Sequence, residues 1–224
     1  MVADHQGGGR EGGVSAAPQA LRPGGADALL FDLGGVIIDI DFDRVFARWA
    51  EHARCDQASL RGRFAQDEAY QRHEVGTIDA AEYFASLRVS LGIDLTHAQF
   101  LDGWNAIFID EVAGIADLLA RAAPKIPLYA FSNTNRAHEL HWSKEFAGVM
   151  RRFRKVFVSS AIGLRKPDLE AFQYVAREMG ARPERIVFFD DAPQNIEGAR
   201  TCGLQVVQVN SVADVAAALA ALDL

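Results

Sequence analysis

Five short apolar runs constrain this chain most: Ala28–Asp32 (ALLFD), Pro127–Ser132 (PLYAFS), Lys155–Ser159 (KVFVS), Arg185–Asp190 (RIVFFD) and Leu204–Val209 (LQVVQV). Each is followed by turn residues and then a helical pattern. Runs so continuously apolar are what strands buried on both faces look like. Strand alternating with helix predicts an α/β fold, a Rossmann-like parallel sheet of five strands with helices on both faces. The gap between the first two runs is too long for one crossover helix. Between residues 43 and 110, apolar residues recur at helical spacing in DRVFARWAEHA, ASLRGRFAQDEAYQRH, DAAEYFASLRVSL and HAQFLDGWNAIF, with Gly76 and Gly92 as stops. The expected organisation is a core of residues 27–42 and 111–224, with a small helical cap, residues 43–110, inserted after the first strand.

Half of the 224 residues are apolar, enough for a sizeable core. A net charge of -7 leaves no basic stripe to track a phosphate backbone, so nucleic acid is excluded as a partner. No apolar run approaches the roughly 20 residues that span a bilayer, and a membrane is excluded with it. Cys55 and Cys202 belong to no CxxC pair or zinc-spaced cluster and read as buried or half-buried thiols in a reducing cytoplasm. Residues 1–26, with GGGREGG and RPGGA, lack the apolar stretch of a signal peptide and read as a disordered leader. Monomer and dimer both remain open.

The polar residues gather at one edge. Asp32, Ser132 and the pair Asp190 and Asp191 stand at the carboxyl ends of predicted strands, where open α/β sheets bind ligands. Lys166 joins them from the GLRKPD loop. Three carboxylates in one crevice repel one another unless a cation sits among them, and an all-oxygen set favours magnesium over zinc. The Ser132 hydroxyl, the Asn133 amide and the Lys166 ammonium suit phosphate oxygens. This combination points to phosphoryl transfer, with Asp32 as the nucleophile that forms an aspartyl-phosphate. Each residue also has a plainer reading: Asp32 as a turn residue, Lys166 as a solvated loop lysine, and one aspartate of the pair as a cap for the helix starting near Pro193.

DLGGV, FSNT, GLRKPD and FFDDAPQNIEGA resemble, in order, the four motifs of the haloacid dehalogenase (HAD) superfamily. FDLGGVIIDIDFDRVFARW, HEVGTI, SNTNR and RKPD resemble more narrowly the branch that contains bacterial α-D-glucose-1-phosphate phosphatase. The resemblance implies that Asp32 is nucleophile and magnesium ligand, that Ser132 binds the phosphoryl group with Asn133 beside it, and that Lys166 neutralises both Asp32 and phosphate. It implies further that Asp191 ligates the metal, Asp190 acts as a water-mediated partner and Gly34 contributes its carbonyl; Asn195 sits where many relatives carry another acid. The chain departs from most phosphatases of the superfamily at Gly34, where those carry the aspartate that protonates the leaving oxygen, a service worth roughly 10²–10⁴-fold.

A sugar 1-phosphate needs less of that help, because its anomeric hydroxyl is a comparatively acidic leaving group. The expected substrate is accordingly a small phosphorylated metabolite. His73 and Glu74, before the Gly76 turn, are candidate substrate contacts, with an exposed polar turn as the alternative. Trp104 and Phe108 are expected in the cap core, His138 and His141 on a helix surface, and Asp39 and Asp41 in the turn into the cap. VADVAAALAAL reads as the last packing helix. Two other functions stay open: a 2-haloacid dehalogenase, which works without magnesium, and a noncatalytic phosphate-binding protein.

Overall fold

The computed structural model describes residues 20–224. In chain order the elements are β1 (Ala28–Phe31), β2 (Ile38–Ile40), α1 (Phe42–Ala53), α2 (Gln57–Arg63), α3 (Glu68–Glu74), α4 (Ala80–Leu91), α5 (His97–Asn105), β3 (Phe108–Glu111), α6 (Ile115–Ala122) and β4 (Leu128–Ser132). There follow α7 (Arg136–Glu145), α8 (Ala147–Met150), β5 (Lys155–Val158), α9 (Ser159–Ile162), α10 (Leu169–Met179), β6 (Ile186–Asp190), α11 (Pro193–Thr201), β7 (Gln205–Gln208) and α12 (Val212–Ala221).

The five expected runs are the strands of one parallel sheet, in the order β5-β4-β1-β6-β7. Their alternate residues feed two apolar layers, which is why the runs carry no polar break. Leu29, Phe31, Ala130, Val187 and Phe189 pack with Leu118, Leu119, Trp142, Val215 and Leu219 on one face. Leu30, Phe131, Phe157 and Phe188 pack with Phe172, Val175, Ile196 and Ala199 on the other. The chain runs from β1 outward to β4 and β5, then crosses back to β6 on the other side of β1. That reversal opens a crevice between the carboxyl ends of β1 and its neighbours.

A third cluster belongs to α1–α5. Val45, Trp49, Phe84, Phe100 and Trp104 are fully buried there, and Trp49 stacks on Trp104 with ring centroids 5.9 Å apart. Each of these helices starts where the sequence offers an oxygen to its first free N–H groups: Asp41, Asp56, Asp67, Asp79 and Thr96 accept from the first turn. Gly92, in the left-handed conformation, ends α4. Asp41 is thus the cap of α1, and Asp39 lies on β2.

Two features differ from the sequence reading. The apolar pattern through HAQFLDGWNAIF stops being helical at Asn105, and Phe108 opens β3, which pairs antiparallel with β2. These short strands carry Asp39, Asp110 and Glu111 and no clean alternation, so nothing in their composition marks them. Trp104 is core as expected, whereas Phe108 is half-buried on the ribbon. Cys55 is exposed rather than buried, and Cys202 half-buried. Of the predicted leader, residues 1–19 lie outside the described residues; within 20–26, Leu21 and Ala26 pack against the sheet's first layer. Among the described residues no helix is long and apolar enough to cross a membrane.

His138 corrects the expectation of a surface histidine. It is buried where α7 meets the cap, its ring stacked on Trp104 at 4.7 Å and its Nε2 donating to the Trp104 carbonyl at 3.0 Å. Burial pushes its pKa from 6.5 down to about 3. Above pH 6.5 the ring is neutral folded or unfolded and costs nothing; below it only the unfolded chain takes up the proton, so stability falls by ~1.4 kcal/mol per pH unit until the folded pKa is reached. Urea unfolding at pH 7.5 and pH 5 is therefore expected to differ by about 2 kcal/mol from this ring alone. His138→Phe should remove that part of the difference, and an unchanged pH slope in the variant would show that the ring is not the source.

Candidate active site

Asp32 follows β1 directly, its N–H donating to Phe189 O at 2.8 Å. The stacked rings of Phe31 and Phe189, 4.5 Å apart, lock the floor beneath it. Lys166 reaches across from the β5–α10 connection and places Nζ 2.8 Å from Asp32 Oδ1 and 2.7 Å from Asp190 Oδ2. Its side chain is wholly buried, with the ammonium 5.5 Å above the Phe131 ring and 5.4 Å above Phe188. Burial alone would lower this lysine's pKa; the carboxylates of Asp32 and Asp190 outweigh it and hold the ammonium charged. The plain reading of Lys166 as a solvated loop residue is therefore incorrect.

Asn133 is what aims the lysine. Its side-chain Nδ2 donates to Lys166 O at 2.8 Å and its Oδ1 accepts from Lys166 N at 2.9 Å, a reciprocal clasp on the backbone. The clasp uses one N–H of the amide and leaves the second available to a ligand oxygen. Ser132, buried at the end of β4, stands next to it in the chain.

Asp190 is saturated. Oδ1 accepts from Ala192 N at 2.8 Å and from Asn195 Nδ2 at 3.0 Å, while Oδ2 takes the lysine. The N-cap of α11 is Ala192 and no side chain caps the helix, so the helix-cap reading is not borne out for either aspartate; Asp190 instead anchors Lys166. Asp191 is exposed. Gly35 makes room for it: the glycine has φ +76, and a Cβ there would stand 2.7 Å from Asp191 Oδ2.

Oxygens of Asp32, Asp190 and Asp191 lie within 4.8 Å of one another. Burial drives the Asp32 carboxyl up to about 7 against the pull of Lys166, and Asp191, though open to solvent, is raised by partial desolvation within the crevice and by the charge of Asp190. One ammonium thus faces three crowded carboxylates, and the surplus negative charge fits a hard divalent cation.

Gly34 carries no side chain into this crevice. A Cβ there would come 3.0 Å from Ile40 Cδ1, so an aliphatic group faces the position where the superfamily usually has its aspartate. A small cavity of about 80 Å³ lies against Gly34, Ile40, Tyr70, Glu74, Ser132 and Asn133. Glu74 arrives from the end of α3, buried, with Arg165 Nη2 2.8 Å from its Oε2. His73 turns the other way: it stacks on Tyr83 at 4.7 Å, bonds the Ile78 carbonyl at 3.3 Å and lines a separate cavity of about 1020 Å³ beside α7, whose lining does not include Asp32, Ser132, Lys166, Asp190 or Asp191.

Two site features escaped the sequence reading. Ser159, fully buried at the start of α9, places Oγ 2.6 Å from Glu74 O and accepts from Thr134 N at 2.8 Å, tying the cap to the core. Arg165 was legible only as the residue before the motif lysine.

The chain is similar over most of its length to characterised proteins. D-ribitol-5-phosphate phosphatase of Bacteroides thetaiotaomicron is 26% identical over 192 residues, 83% of this chain and 93% of the relative. A HAD family enzyme of the same organism, solved in complex with magnesium and inorganic phosphate, superposes with a TM-score of 0.74 at 27% identity, over 84% of this chain and 96% of that one. L-2-haloacid dehalogenase of Xanthobacter autotrophicus, with chloropropionic acid covalently bound, shares the fold at 18% identity and a TM-score of 0.64, over 87% of this chain and 82% of that one. The family model described as haloacid dehalogenase-like hydrolase matches residues 26–203. That span takes in Asp32, Ser132, Lys166, Asp191 and the helices between β2 and β3, and the chain belongs to the haloacid dehalogenase-like hydrolase family.

Proposed function

We propose that this chain is a magnesium-dependent phosphatase of small phosphorylated metabolites, sugar and polyol phosphates foremost, acting in the cytoplasm through an aspartyl-phosphate on Asp32. One observation carries the reading: Lys166 Nζ bridges Asp32 at 2.8 Å and Asp190 at 2.7 Å while Asp191 completes a carboxylate cluster around them. A dehalogenase working without metal has no use for that surplus of negative charge. The similarity to a ribitol phosphate phosphatase, and to an enzyme solved with magnesium and phosphate, supports the same choice.

In this reading Asp32, Asp191 and the Gly34 carbonyl would hold magnesium, with Asp190, whose oxygens are taken by Ala192, Asn195 and Lys166, acting on it through water; the cation would supply charge neutralisation for the transferring phosphoryl group. Lys166 balances charge on Asp32 and on the phosphate. Ser132 donates its hydroxyl to a phosphate oxygen. An Asp32 oxygen attacks phosphorus and the ester oxygen departs as the alcohol; water then displaces Asp32 and releases phosphate. Asn133 serves by holding Lys166, and Glu74 faces the leaving group.

The test is phosphate release from a panel containing glucose 1-phosphate, ribitol 5-phosphate and aryl phosphates, with magnesium and with chelator. Magnesium-dependent release is expected, strongest on sugar and polyol phosphates. Release that survives chelation, or chloride release from 2-chloropropionate in place of phosphate release, would contradict the reading.

A further inference from the structure

We propose that Glu74 is the proton donor to the leaving oxygen and the base for the attacking water, replacing the carboxylate that Gly34 lacks. This rests on the phosphatase reading above. Three observations place Glu74 in that role. It lines the same small cavity as Gly34, Ser132 and Asn133. Its backbone is fixed to the core: Ser159 Oγ lies 2.6 Å from its carbonyl, and two residues on Gly76, with φ +73, sits so close to Ser160 that a Cβ would come 2.2 Å from its carbonyl oxygen. Its carboxylate is also unfinished. Arg165 Nη2 is 2.8 Å from Oε2 but misaligned for a hydrogen bond, and Glu74 Oε2 and Arg165 Nε are both buried without a hydrogen-bond partner. Buried polar atoms left open at a cavity wall call for a ligand hydroxyl or ester oxygen.

The groups facing Glu74 are Arg165, Lys166, Tyr70 and Tyr83. Burial raises its pKa, and the pull of Arg165, Tyr70 and Lys166 in the other direction does not cancel it. The proton balance closes over one turnover. As Asp32 bonds to phosphorus and the ester P–O bond breaks, the protonated Glu74 gives its proton to the departing oxygen. The resulting carboxylate takes a proton from the water that attacks the aspartyl-phosphate, and is restored as phosphate leaves.

The experiment compares wild type, Glu74→Gln and Gly34→Asp/Glu74→Gln on an alkyl phosphate, ribitol 5-phosphate, and on p-nitrophenyl phosphate, whose leaving group needs no proton. Glu74→Gln is expected to lower kcat on ribitol 5-phosphate by roughly 10²–10⁴-fold. KM should stay within about threefold, since the interaction lost is one of the transition state. The first turnover of p-nitrophenolate should persist as a burst near the wild-type rate, which also reports a folded site. The double variant, with a carboxylate restored at position 34, should recover alkyl phosphate turnover. A rise in KM with kcat unchanged would make Glu74 a hydroxyl-binding residue and overturn the assignment, as would equal loss of the burst and of alkyl turnover. An active wild type with unaffected Glu74→Gln overturns this assignment alone; a wild type that releases no phosphate from any ester overturns the phosphatase reading with it.

Discussion

Asp32→Asn is expected to abolish phosphate release, a loss on the order of 10⁴–10⁶-fold of the kind seen when a covalent nucleophile is removed. The amide keeps the shape of the carboxylate and an oxygen for Lys166 Nζ, which lies 2.8 Å from Oδ1 in the native site. Only nucleophilicity and charge are lost. Because burial already drives the native carboxyl up to about 7, removing its charge should leave the metal-free fold no less stable. Magnesium, by contrast, should raise the native protein's Tm more than the variant's, since the variant offers the cation one charge fewer. The decisive readout is acid-quenched protein incubated with labelled substrate: label on the native chain and none on Asp32→Asn. Turnover by the variant within tenfold of native would remove the covalent mechanism, about 1.4 kcal/mol being all that such a change represents.

Lys166→Met should be the most damaging substitution to the fold itself. The ammonium is the sole cation within bonding distance of both Asp32 and Asp190 among the described residues, and its side chain has no solvent exposure. Removing it strands buried carboxylates, a loss of roughly 3–5 kcal/mol. Without the lysine, Asp32 loses an opposing charge, and its already raised pKa must rise further. A carboxyl whose folded pKa exceeds its ordinary 3.8 contributes stability that is full below that value and lost as pH rises through the folded pKa. The deficit of Lys166→Met should therefore be largest near neutrality and shrink toward pH 5, and magnesium should recover part of it. Urea unfolding across that range with and without magnesium measures both. A variant as stable as native in chelator at pH 7 would show that the pair carries no such weight.

Much of this was legible from the chain alone because it is written in continuous apolar runs. RIVFFD and PLYAFS could only be strands covered on both faces, and their terminal Asp190 and Ser132 were placed by that fact. Lys166 is different. A lysine is ordinarily solvated, and its complete burial follows from Phe131 and the Asn133 clasp at the end of β4 and from Phe188 on β6, two segments far from it in sequence. Partners far apart in sequence explain the misreadings too. His138 meets Trp104 across the interface of cap and core, and its own helix has too weak an apolar stripe to mark the buried side. Glu74 and Arg165 stand 2.8 Å apart in space, a pairing that neither segment discloses by itself. The β2–β3 ribbon was hidden because short acidic strands that pair only with each other need no apolar signature.

That ribbon has a consequence for how such a chain can change. The segment leaving the sheet after β1 and the segment returning before α6 are stitched to one another, Ile38 beside Glu111 and Ile40 beside Phe108, so the helices beyond them hang from a single two-ply stalk with an apolar interior of their own. Residues inside that interior can be exchanged, or loops between its helices lengthened, while Asp32, Lys166 and Asp190 keep their distances. The carboxylate and lysine cluster and the apolar interior of α1–α5 are thus separately variable parts, joined at the stalk and at the contacts of Ser159, His138 and Glu74.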